Sequence, residues 1–174
     1  MNNNFVMFDK EILVDIKTST IERLDEIVYE FMADNNNTFP IIGKYHVNDM
    51  DGVIVLVPSM LMVPMAFDNN VISFPTSILY MLDETSLQFL AFHEIGHIVN
   101  AHGLASERTG SEILKAEFEA DNFAFKNVNI SREKYLEIMD KMFLSVKNYL
   151  SEDKIEASSS EIKLRCENLF GKAA

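Results

Sequence analysis

The chain has 174 residues, 48% of them hydrophobic and 24% charged, a composition that fits one folded domain with a core of its own, residues 1–174. Fifteen Lys and Arg against 27 Asp and Glu leave a formal charge of −12. That sign argues against nucleic acid or an anionic membrane surface as partner and would attract a basic protein. The lone cysteine, Cys166, excludes an intramolecular disulfide. With no basic-then-apolar leader at the N-terminus, a cytoplasmic location is expected.

In chain order, Ser19 or Thr20 opens an amphipathic helix with Leu24, Ile27, Val28 and Phe31 at helical spacing, ended by Asn35, Asn36 and Asn37. Residues 39–74 have β texture, PIIGKYHV, GVIVLV, MLMVPMAF and VISF, with 68–70 as a hairpin turn between the last two. The apolar run 53–67 is too short to cross a bilayer as a helix and is broken by Pro58 and Pro64. Helices follow Pro75. Asp83 caps one that runs to Gly103, Ser111 and Ser131 cap the next two, and Ser158 to Ser160 open a last one ending at Gly171. The layout is α+β: a small N-terminal sheet, then an active-site helix and C-terminal helices.

The chemistry lies in His93-Glu94-Ile95-Gly96-His97. Histidines four apart on a helix sit about 40° apart around its axis, so both imidazoles can reach one ion. Glu94 lies about 100° from His93, off the ligand position but placed to take a proton from water beside the metal. The flanking Leu90, Ile95, Ile98 and Val99 suit a buried helix.

Zinc hydrolases keep three protein ligands and leave a position for water. If the helix continued, His102 would sit about 140° from His97 and face away. A better third ligand is Glu117 in AEFEADNFA. It shares a helix face with Asp121, Ala120 and Ala124, while Glu119 points nearly the other way. The small alanines allow close approach to the HEIGH helix, and Asp121 could accept the N–H of a ligand histidine. The expected site is therefore one zinc on His93, His97 and Glu117, with Glu94 catalytic and Asp121 behind it. For the oxyanion donor, Asn100 on the metal face is one candidate, with Tyr80, His46, Tyr135 and Arg132 as others.

HEIGH followed by EFEADNFA resembles the gluzincin metallopeptidases, in particular the ImmA/IrrE-type peptidases, whose second motif reads E-x-E-A-(N/D)-x-F-A. The resemblance covers roughly residues 65 to 170, including VISF, QFLAFHEIGHI and SSSEIKLRCENLFG. It implies a zincin-like domain with zinc on His93, His97 and Glu117, and a protein substrate that is typically a repressor. A second branch, the CAAX-protease/HtpX-like group, shares His93, His97 and His102 at its spacing. That group usually has a His six residues before the final Arg, where this chain has Ser159. A zinc-organised module that captures a partner without cutting it, and a hydrolase of small amides, are further readings. An intact Glu94 favours an enzyme. Because Pro75 follows VISF and proline belongs at sheet edges, Ile72, Ser73 and Phe74 are expected to form an exposed edge that pairs with extended substrate.

Overall fold

A computed structural model describes residues 4–103 and 108–172. Its first element, β1 (Phe5–Phe8), alternates exposed Phe5 and Met7 with buried Val6 and Phe8. The two-residue period leaves one face of the strand to solvent. Asp9 then accepts the N–H groups of Glu11 and Ile12 and caps α1 (Lys10–Thr18), and Thr20 caps α2 (Ile21–Asp34). Neither β1 nor α1 was expected from the sequence. Both are short, and only Leu13 and Ile16 of α1 are buried, too few to set up a readable period.

Strands β2 (Ile41–Val47) and β3 (Met50–Val57) form a hairpin closed by Asn48 and Asp49, whose φ values are 50° and 62°. Two left-handed residues match the twist of the flanking strands, and Asn and Asp tolerate that geometry. Strand β4 (Met65–Phe67) returns antiparallel on β5 (Val71–Pro75) across the turn expected at 68–70. Strand β5 also runs parallel to β3, so the sheet order is β1-β2-β3-β5-β4.

This order corrects one expectation. Ile72 and Ser73 are paired on both sides, to β3 and to β4, Phe74 is paired to β3, and all three are fully buried. The free edge on that side belongs to β4. Pro75 is compatible with the interior position because it is the last residue of the ladder, opposite Val57, and leads straight into a helix. Its missing N–H thus interrupts no further pairing.

Helix α3 (Thr76–Met81) follows, then α4 (Glu84–Val99), capped by Asp83 as expected. Helix α4 lies against β1, β4 and β5 on one face and against α5 (Gly110–Asn127) on the other. The cap of α5 is Thr109 rather than Ser111. Thr109 and Glu112 form a reciprocal capping box, which satisfies two otherwise unpaired N–H groups at once. Ser131 caps α6 (Arg132–Val146). Helix α7 (Glu152–Phe170) starts after Ser151 instead of at residues 158–160, and ends at Gly171 with φ 79°. The run of serines that looked like a cap is interior, and Ser159 bonds back to the Ile155 carbonyl at 2.9 Å.

One core joins sheet and helices. Val6, Phe8, Tyr45, Ile54, Leu56, Ile72 and Phe74 from the sheet pack with Leu87, Phe89, Leu90 and Ile95 of α4. On α2, Asp25 accepts the Ser59 N–H at 2.9 Å, the Thr76 hydroxyl at 2.5 Å and the Ser59 hydroxyl. It ties that helix to the end of β3 and the start of α3, steadying the frame under α4. Among the described residues no helix is long and apolar enough to cross a membrane.

Candidate active site

Helices α4 and α5 approach closely at Gly96. A Cβ there would lie 2.9 Å from the Ala120 Cα and 3.2 Å from the Ala120 carbonyl oxygen, nearer than ordinary contact. The close approach anticipated from Ala120 and Ala124 therefore also needs a glycine between the two histidines. Its outcome is that Glu117 of α5 faces His93 and His97 of α4. One donor atom from each of the three lies within 4.8 Å of the others. The two Nε2 atoms are 3.1 Å apart, and the Glu117 oxygens lie 3.3 Å from His93 Nε2 and 3.5 Å from His97 Nε2.

The outer atoms of these side chains are held as well. His93 Nδ1 donates to Asp121 Oδ1 at 2.9 Å, so the neutral ring presents a lone pair at Nε2. Asp121 is fully buried and also accepts from the Tyr135 hydroxyl at 2.8 Å and from Arg165 Nε and Nη2 at 2.8 Å each. Arg165 Nη1 reaches Glu117 at 2.8 Å, so a single guanidinium from α7 aligns both carboxylates of α5. Burial alone would raise the Asp121 pKa, but the charge and hydrogen bonds of Arg165 and His93 hold it well below the ordinary carboxylate range. Glu117 is brought to about 2 against its burial, by hydrogen bonding and charge from His93 and then by Arg165.

His102 is placed differently from expectation. Helix α4 ends at Val99, Ala101 takes φ 51°, and the His102 N–H bonds to the His97 carbonyl at 3.0 Å. The imidazole folds back, with Nδ1 2.8 Å from His97 Nδ1 and Nε2 2.9 Å from Glu119. A separation of 140° holds only for a continuing helix, and α4 has stopped three residues before His102. His102 still reaches the outer nitrogen of His97 rather than the three-donor cluster. With Glu119 accepting from Nε2–H, His102 Nδ1 can accept from His97 Nδ1–H, leaving the His97 Nε2 lone pair beside that of His93.

Glu94 is half-buried on the same turn, and the Ala66 backbone N–H donates to it. Burial pushes its pKa up, partly opposed by the His93 charge, to about 7, the range suited to a proton acceptor that must also give the proton back. Asn100 does not offer its amide to this site. It caps α4, with Nδ2 donating to the Gly96 carbonyl at 2.8 Å. Of the other oxyanion candidates, Tyr135 donates to Asp121, His46 pairs with Asp51 at 2.9 Å and Arg132 bonds the Gly171 carbonyl at 3.2 Å.

What the sequence did not reveal is the part played by Arg165, by Tyr135 as a donor to Asp121, and by the His102–Glu119 pair. A signal for Arg165 was present: a buried Asp121 requires a cationic partner, and Arg165 follows Ile162 by three residues on the face of α7 that packs inward.

Two nitrogen lone pairs and a carboxylate converging on one point, with their far sides locked by hydrogen bonds, suit a divalent cation with N/O preference. The fold and this donor set define a small α+β peptidase domain. The chain belongs to the peptidase U49 family, whose model matches residues 55–149, more than half of the chain. The match runs from β3 through α6 and contains His93, Glu94, His97, Glu117 and Asp121. No curated protein and no solved structure matches the chain.

Proposed function

We propose that the protein is a zinc-dependent endopeptidase of gluzincin type, and the observation that carries this is the convergence of His93, His97 and Glu117 with Glu94 on the same helical turn. The three side chains would hold one zinc ion per chain. When bound, zinc lowers the pKa of its water and polarises a carbonyl. Glu94 takes the proton from the attacking water and returns it to the leaving amine. Asp121, held by Arg165 and Tyr135, keeps His93 in one tautomer and orientation, and His102 does the same for His97. The open edge of β4 gives an extended polypeptide a strand to pair with, replacing the buried β5 as the substrate's partner. A charge of −12 favours a basic protein, and a basic repressor, the substrate class implied by the ImmA/IrrE resemblance, is the first to test.

The experiment is metal analysis of the purified chain together with cleavage of candidate repressors by wild type and Glu94→Gln. Zinc in both and cleavage only by wild type support the reading. Zinc with no cleavage of any polypeptide by wild type overturns it in favour of a partner-capturing module.

A further inference from the structure

The strand register turns one face of the sheet away from the core. Directly paired residues point to the same side, so Met7, Lys44, Val53, Val71 and Phe67 form one outward row across all five strands. Phe5 and Asp51 belong to the row on one side of it, Ile41 and Met65 to the row on the other. The intervening residues, among them Phe8, Ile54 and Ile72, point the opposite way, into the core shared with α4. The outward face is open: Phe5, Met7, Ile41, Met65 and Phe67 are 41–59% exposed. It is not flat either, because a hollow of about 410 Å³ lies between Phe5, Met7, Lys44 and Val53.

About half of each of these five side chains meets water, and a side chain of this size presents about 200 Å² in full. The open apolar area is therefore about 500 Å², near the upper end of what a monomer leaves bare. Interfaces are about 60% apolar, so a contact covering this face would bury about 800 Å² on each partner, the standard size for a stable complex. Charge selects the partner. The chain carries −12 overall, yet the three outward rows hold one cation, Lys44, and one anion, Asp51. A face without net charge gives a basic protein no local attraction, and it is where two acidic copies repel least. A two-fold axis can also set Lys44 of each copy against Asp51 of the other.

We propose that this outward sheet face is the contact through which two copies of the chain form a homodimer. The inference stands apart from the peptidase reading, because α4 and its histidines pack on the opposite face of the sheet. The test is sedimentation equilibrium of the full chain. At about 100 µM, above the dissociation constants expected of an interface this size, the mass should be twice that of the 19.9 kDa chain. Met7→Glu and Phe67→Glu, at opposite edges of the face, should each weaken association by at least about tenfold. Leu144→Glu, at an equally exposed apolar site on α6, should not. Raising salt from about 0.01 to about 0.1 M shortens the screening length from about 30 to about 10 Å, which should tighten a dimer of two acidic chains. In carbon-13 methionine spectra, Phe67→Glu should shift the methyl signal of Met7, about 19 Å away across the sheet of the same chain, because Met7 loses its cover. The signal of Met139, buried on α6, should stay. A monomer at about 100 µM overturns the proposal, as does a dimer indifferent to both face variants or equally weakened by Leu144→Glu. A monomer that binds neutral phosphatidylcholine vesicles, and stops doing so in Met7→Glu, overturns it in favour of a lipid surface.

Discussion

Replacing Gly96 by alanine places one methyl group between the two helices that carry the donors. The added Cβ would stand 2.9 Å from the Ala120 Cα, 3.2 Å from its carbonyl oxygen and 3.2 Å from the Phe123 Cβ. Relaxed carbon contacts need about 3.5–4.0 Å, a shortfall of roughly 0.6–1.1 Å. The nearest obstacles are backbone atoms, so no side chain can swing aside and the helices must separate. Glu117 lies three residues before Ala120 and moves with α5, whereas metal ligands tolerate about 0.2 Å. Overpacking costs about 1–3 kcal/mol and alanine returns about 1 kcal/mol of helix propensity, so the variant should remain folded. Its zinc affinity, measured by chelator competition, should fall by at least about tenfold, the smallest effect expected of a disturbed ligand set. Gly110→Ala serves as the control, because a Cβ there meets nothing within 4 Å. Wild-type zinc affinity in a folded Gly96→Ala protein would refute the packing argument.

Glu94→Gln should keep zinc and lower turnover by about 10²-fold or more; an unchanged rate in a peptide assay would remove Glu94 from the chemistry. Asp121→Ala strands Arg165, Tyr135 and His93 Nδ1 in the interior. It should therefore lower stability by about 3–5 kcal/mol in urea denaturation as well as weaken zinc binding, and wild-type stability would contradict the network. His102→Ala should weaken zinc binding by about 10- to 100-fold while Glu119→Gln, which keeps an acceptor, does less; equal effects would discount the orientation of His97. For His93, burial alone would lower the pKa, but Asp121 and Glu117 outweigh it and raise it to about 10 in the metal-free chain. The stabilisation from its charged form is full below the unfolded value of about 6.5 and is lost as pH rises through the folded one. Zinc must displace that proton, so calorimetry near pH 7 should show about one proton released per zinc and affinity rising with pH. Heats independent of the buffer's ionisation enthalpy would show His93 already neutral.

The legible parts of the chain were those governed by local periodicity. His93 with His97, and Glu117 with Asp121, share helix faces because four residues nearly complete a turn. The caps at Thr20, Asp83 and Ser131 are local too, each side chain accepting an N–H three positions on. Where local signals competed, the reading failed. Three serines at 158–160 suggested a helix start, although α7 begins after Ser151, and a proline after VISF suggested an edge where the strand is interior.

From the sequence alone come an α+β chain, a helix with two histidines four apart and a glutamate between them, and a later helix with two carboxylates on one face. Only the tertiary structure decided how those pieces meet. It put β4, not β5, at the open edge, brought Arg165 to Asp121 across 44 positions, and turned His102 back onto His97 once α4 had ended. The reason is physical: helical spacing fixes angles within one element, whereas contact between elements depends on strand order, helix ends and close approaches such as Gly96 to Ala120. Those arise from packing the whole core.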